Sequence, residues 1–264
     1  MKCDDGDPPA GSHRPPGIQG VRESFFPDYR TFSLREYGNR VGFFRVAAAL
    51  DELGLRPTVA VNAALLEDCP RVVEECLKRG WEIAAHGTHA TRMITSRMSE
   101  DEERAHIAGA VEAIGRFAGT KPEGWIGQDA GESTRTPLLV AEQGLAYLGD
   151  WPNDDQPYPM LGGRLVSLPQ QANWDDVQLL WMRQVSSARY PGIVAAACDR
   201  LLADAAGSGR MLSLGIHPWL SGQAHRFRPL RAALEGLRSR AGLWHADGRS
   251  IAAHYRNATA GTPQ

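Results

Sequence analysis

The sequence predicts an α/β protein built on a parallel sheet. Three observations carry this: helical and extended apolar patterns alternate, the extended runs are short, and polar residues gather just past their ends. At 264 residues, with 42% hydrophobic and 23% charged residues, the chain can bury one large core. Seven strand candidates suit a closed or nearly closed barrel better than a small open sheet, although pattern alone leaves both open.

The elements follow in order. Residues 1–30 carry Pro8, Pro9, Pro15, Pro16 and several glycines, which oppose helix and strand, and form an irregular segment before one domain over 31–264. Arg40 to Leu53 has helical apolar spacing ended by Gly54, and Pro57 to Asn62 is a β-branched strand. Pro70 to Lys78 reads as helix closed by Gly80, and Trp81 to Ala85 as a strand running into His86. Ser99 and Glu102 form a capping box for a helix reaching about Phe117. Strands are then expected at Gly124 to Gly127, Ala146 to Gly149, Leu165 to Leu168, Met211 to Ile216 and Gly242 to His245. Between and after them, helices are expected at about Thr136 to Gln143, Pro191 to Ala206, Pro229 to Ser239 and Ser250 to Tyr255.

Charge and cysteine usage narrow the function class. A formal net charge of -2 gives no global attraction to nucleic acid or an anionic membrane, so a small-molecule substrate is expected. Cys3, Cys69, Cys76 and Cys198 are scattered without a CxxC pair, as in reduced cytosolic proteins. Neither a signal-peptide core nor an eighteen-residue apolar run occurs, and a cytoplasmic location with no membrane partner is expected.

Function in parallel α/β folds gathers at the strands' C-terminal ends. The residues there are Asn62, His86 with His89, Gln128 with Asp129, Asp150 to Asp155, and His217. His86 and His217 each end an apolar run and precede Gly87 or Pro218, which would place both imidazoles at one barrel mouth. A functional role for both outweighs a structural one. The Asp150 to Tyr158 loop holds three carboxylates and aromatic residues, and is balanced between a binding loop and a solvated turn. For Trp174, Asp175 and Asp176 the structural reading is preferred, and mid-helix His106 is expected to be solvated or structural.

Five collinear segments carry a family resemblance: Arg35 to Phe43 (REYGNRVGF), His86-Gly87 after WEIAA, Gly124 to Gly127 (GWIG), the Asp150 to Tyr158 loop, and Leu214 to Leu220 (LGIHPWL). From about Pro27 to the C-terminus the chain resembles the polysaccharide-deacetylase superfamily, in its allantoinase-like and cyclic-imide-hydrolase-like branch. The resemblance implies a distorted (β/α) barrel of about seven strands and hydrolysis of an amide, imide or acetamide. Metal-dependent members use Thr-Phe-Asp-Asp-Gly for a base and a metal ligand, His-x-x-x-His for two more ligands, and a late histidine as general acid. By this carry-over His217 is the acid, Asp4 the base, and Asp5, His86 and His89 hold one divalent metal, zinc first, with a metal-free site as the alternative. Ala90 occupies the second histidine's position and His89 lies one residue early, though both spacings share a face on a helical turn. The apolar strand that should precede Asp4 is absent, so the barrel is expected to lack its first strand. Gln128, Asp129, Glu132 and Arg135 occupy the region where relatives carry an arginine beside the base, implying a different substrate. Trp125, Asp129, Trp151, Asp154, Asp155 and Trp219 are the expected substrate-binding residues, and family analogy suggests a homo-oligomer. The alternatives are a carbohydrate N-deacetylase and a degenerate barrel that only binds a small ligand.

Overall fold

The computed structural model describes residues 29–260, which fall into two compact units. One comprises residues 56–169 with 246–260, the other 29–55 with 170–245.

The first unit holds a mixed, mostly parallel sheet in the order β1-β2-β3-β4-β6-β5. β1 (Thr58–Val61), β2 (Glu82–Ala85), β3 (Gly124–Trp125), β4 (Tyr147–Leu148) and β6 (Leu165–Ser167) run parallel, while β5 (Tyr158–Met160) pairs antiparallel on β6. All four β2 side chains are buried, as a strand covered on both faces requires. One further amide past several strands keeps the ladder: His86 N bonds to the Val61 carbonyl, Ile126 N to Ala85, Gly149 N to Trp125 and Leu168 N to Leu148. His86 therefore stands at the C-terminal end of β2, as expected.

β5 was not anticipated, because Pro159 lacks a ladder donor and reads against a strand. The sheet's edge is where proline is tolerated.

Helix signals translate closely. α4 (Pro70–Lys78) starts on proline and buries Val72, Val73 and Cys76 on one face. α5 (Glu100–Ala118) carries the expected capping box, with Ser99 Oγ accepting from Glu102 N and Glu102 accepting from Ser99 N at 2.8 Å. α3 (Leu65–Asp68), α6 (Thr136–Glu142) and α10 (Gly248–Thr259) complete this unit. Buried Glu103 of α5 accepts from Ser133 Oγ (2.7 Å), Thr136 Oγ1 (2.5 Å) and Arg135 (3.2 Å), which pins the start of α6. Arg135 is thereby committed to structure.

The second unit contains α1 (Tyr29–Tyr37), a π-helical turn at Gly38–Gly42 and α2 (Phe43–Leu53), so the helix expected from Arg40 begins earlier. α7 (Tyr190–Asp204) and α9 (Ala224–Arg238) pack together through faces including Val194, Cys198, Leu230 and Ala233. α8 (Pro218–Ser221) follows His217, and a second π-helix spans Val177–Met182.

Two expected strands, Met211 to Ile216 and Gly242 to His245, are not strands. Side chains occupy the backbone of the first: Gln171 Oε1 accepts from Ser213 N (3.2 Å), and Trp174 Nε1 donates to the Ser213 carbonyl (2.8 Å). These bonds satisfy polar groups that a ladder would otherwise pair.

Candidate active site

In the unit containing residues 170–245, His217 is the centre. Its Nδ1 donates to Asp176 Oδ1 at 2.7 Å, and its backbone N–H donates to Asp176 Oδ2 at 2.9 Å. Both oxygens of one buried carboxylate thus fix the ring and the chain that carries it. Asp175 Oδ2 lies 3.8 Å from the same Nδ1, and Asp175 Oδ1 caps the π-helix by accepting from Val177 N (2.7 Å) and Gln178 N (3.2 Å). Burial pulls the imidazole pKa down, but Asp176's charge and hydrogen bond, helped by Asp175, outweigh it and hold His217 at about 9. The side chain retains 43% exposure, so part of the ring is open to ligand or solvent.

The structural reading of Asp175 and Asp176 did not include the bonds that tie Asp176 to His217. Two adjacent carboxylates after Trp174 were the available signal, but their partner lies 41 residues away. Among the described residues, Asp175, Asp176 and His217 offer ligand atoms within 4.8 Å of one another. Those donors suit a divalent ion, yet here the carboxylates accept from backbone amides and from a strongly held imidazole proton.

In the unit containing residues 56–169, His86 Nδ1 donates to the Ile126 carbonyl at 2.5 Å, while Asn62 Nδ2 donates to the His86 carbonyl at 2.5 Å. A proton fixed on Nδ1 leaves the lone pair on Nε2, the arrangement of metal-binding histidines. The turn that follows is not helical, so the helical-face argument for pairing His86 with His89 does not apply. Instead Gln128 Nε2 donates to the His89 carbonyl (2.5 Å), and Thr88 Oγ1 bridges His89 Nδ1 (3.2 Å) to His106 Nδ1 (3.0 Å). His106 is therefore buried structure under the histidine turn, not a solvated residue. Asp4 and Asp5 lie outside the described residues.

Asp150 is buried and accepts from Gly127 N at 2.6 Å, with the Glu132 carboxylate near enough to act on it. Burial first, then Glu132's charge, drives Asp150 well above the usual carboxylate range. Trp151 is exposed and donates its Nε1 to Glu132 Oε2 (2.9 Å); Asp154 and Asp155 are exposed on the same loop. Asp129 is exposed with a left-handed φ of 50°. Trp125 departs from expectation: it is wholly buried edge-on to His106 and presents no face to a ligand. Trp219 is also buried, against Trp181 and under Arg35.

Residues 36–148 match the family model described as polysaccharide deacetylase. Over that segment the chain is similar to polysaccharide deacetylases. A Schizosaccharomyces pombe protein named "Putative polysaccharide deacetylase" is 28% identical over 243 residues, covering 83% of this chain and 74% of that protein. The chain is also similar to solved structures. The structure of Puue allantoinase matches at TM-score 0.80 and 26% identity, over 89% of this chain and 78% of that one. A probable polysaccharide deacetylase from Pseudomonas aeruginosa PAO1 matches at TM-score 0.80 and 26% identity, over 91% and 79%. These similarities place the chain among hydrolases of carbon–nitrogen bonds.

Proposed function

We propose that this hydrolase opens the carbon–nitrogen bond of a small amide or cyclic imide, with His217 as proton donor to the leaving nitrogen. The observation that carries the reading is the Asp176 carboxylate on His217 Nδ1 at 2.7 Å. It keeps the ring cationic near neutral pH and directs the other N–H, on Nε2, outward as the acid. The allantoinase among the similar structures supports a small cyclic substrate. Asp129, Trp151, Asp154 and Asp155, exposed past the strand ends, are the proposed substrate contacts.

His86 and His89, with Asp5 as third ligand, would hold a divalent ion, zinc first. When bound, such an ion polarises a carbonyl or lowers the pKa of water. The fixed Nδ1 proton of His86 fits this; Ala90 in place of the second histidine fits a metal-free site, in which a carboxylate, Asp4 by analogy, activates water. A homo-oligomer in the cytoplasm belongs to the same proposal.

A second reading, sugar N-deacetylation, is favoured by the names of the family model and the fission-yeast relative. Hydrolysis assays on allantoin, hydantoins, cyclic imides, formamides and N-acetylated sugars separate the two. Turnover is expected on the cyclic and small amides, and His217→Ala should lower the rate about a hundredfold or more while circular dichroism stays unchanged. Turnover of N-acetylated sugars alone would establish the second reading. No turnover with ligand-induced stabilisation would mark a binding barrel, and a parental rate in His217→Ala would remove the acid assignment.

A further inference from the structure

Arg226 has no role in the chemistry above, yet an unbroken run of hydrogen bonds ties it to the proposed proton donor. The His217 carbonyl accepts from Leu220 N (2.9 Å) and Ser221 N (3.0 Å), and the Leu220 carbonyl accepts from Gln223 N (3.3 Å). Gln223 locks the corner from both sides. Its Nε2 donates to the Trp219 carbonyl at 3.0 Å, and its own carbonyl accepts from Arg226 N (3.0 Å) and Phe227 N (2.9 Å). Arg226 is thereby fixed on the first turn of α9, at the end of a rigid corner that starts on His217.

The Arg226 guanidinium is half-buried, and among the described residues it makes no hydrogen bond or ion pair. Burial holds it below the usual arginine range, while the Asp176 charge acts in the opposite direction. Asp176 does not itself satisfy the cation, because its two oxygens accept from His217 Nδ1 and His217 N. A cation that has given up part of its water is ordinarily paired. Tyr190, at the start of α7, repeats the pattern: it is 1% exposed, its hydroxyl has no partner among the described residues, and it feels the same Asp176 charge. Two donors within the field of one carboxylate are therefore left unsatisfied by the protein, as in a site prepared for the oxygen atoms of a ligand.

We propose that Arg226 is a substrate-recognition residue that binds the carboxylate of a ring-opened amide, and before ring opening the carbonyl oxygen that becomes it. The identity of the ligand rests on the small-amide reading. Hydrolysis of a cyclic imide adds water across one C–N bond: the carbonyl carbon gains an oxygen and the nitrogen gains a proton. A carboxylate and an amide are left on one molecule, with release of a proton. The planar guanidinium fork matches both oxygens of that carboxylate.

Calorimetric titration of the full chain with succinamate, the ring-opened form of succinimide, tests this without turnover. The parent should bind succinamate, more weakly as salt is raised, and should bind butanediol, a neutral chain of the same length, at least about tenfold less tightly. Arg226→Met should raise the succinamate Kd about tenfold or more, and Arg226→Lys should recover only part, because lysine lacks the planar fork. Should Arg226→Met fail to fold, the Arg226→Lys titration decides alone. Parental affinity in either folded variant, equal binding of the two probes by the parent, or no succinamate binding at all would overturn the proposal. If succinamate binding depends on Arg226 while the assay panel shows turnover of N-acetylated sugars alone, recognition stands and small-amide hydrolysis falls. Imide turnover with succinamate binding unmoved in both variants does the reverse.

Discussion

His86 and His217 both follow apolar runs, and both have Nδ1 engaged, yet the partners differ in charge. His86 donates to a neutral backbone carbonyl and His217 to a buried carboxylate. A carbonyl fixes which nitrogen carries the proton and leaves a lone pair on the other, suited to a metal. A carboxylate stabilises the second proton as well, suited to an acid. On the proposed reading, the charge on the far side of the ring, more than position in the fold, gives each histidine its chemistry.

Zinc titration is the strongest way to break that comparison. His86→Ala should raise the zinc Kd tenfold to a hundredfold or more, while His217→Ala should leave it within about twofold. Absence of zinc binding by the parent would make the site metal-free, and equal losses in both variants would erase the distinction. A smaller effect is expected at His106, which hydrogen-bonds Thr88 beneath the His86 turn. His106→Ala should cost about 1–3 kcal/mol, because a buried hydrogen bond is lost and packing opens. Urea denaturation checks this; unchanged stability would remove the structural role of His106.

What was legible in the sequence followed local rules. The Ser99 and Glu102 capping box, the proline start of α4 and the β-branched run before Asn62 each act within a few residues. Locating His86 at a strand end followed from them. What was missed depends on partners distant in sequence. Met211 to Ile216 is apolar enough for a strand, but Gln171 and Trp174 take its backbone bonds. Asp176 looked like loop polarity because its histidine is 41 residues away. Trp125 looked accessible because a strand end suggests a mouth, whereas its side chain points into the core beside His106. Edge strand β5 was hidden by Pro159, whose cost depends on the edge position that only the sheet reveals.

The account turns on His217 being a cation at neutral pH, and nitrogen-15 NMR titration of its imidazole measures this directly. The groups facing the ring are Asp175, Asp176 and Arg35, while Tyr190 and Arg226 sense Asp176. Because the folded pKa is raised above the ordinary 6.5, the charged form and its stabilisation are complete below about 6.5 and are lost as pH rises through about 9. Acid-dependent turnover should fall over the same upper range. The account predicts a His217 midpoint near 9 in the parent and a clearly lower one in Asp176→Asn, whose amide cannot stabilise the cation. A parental midpoint at or below 6.5, or one unmoved by Asp176→Asn, would contradict it.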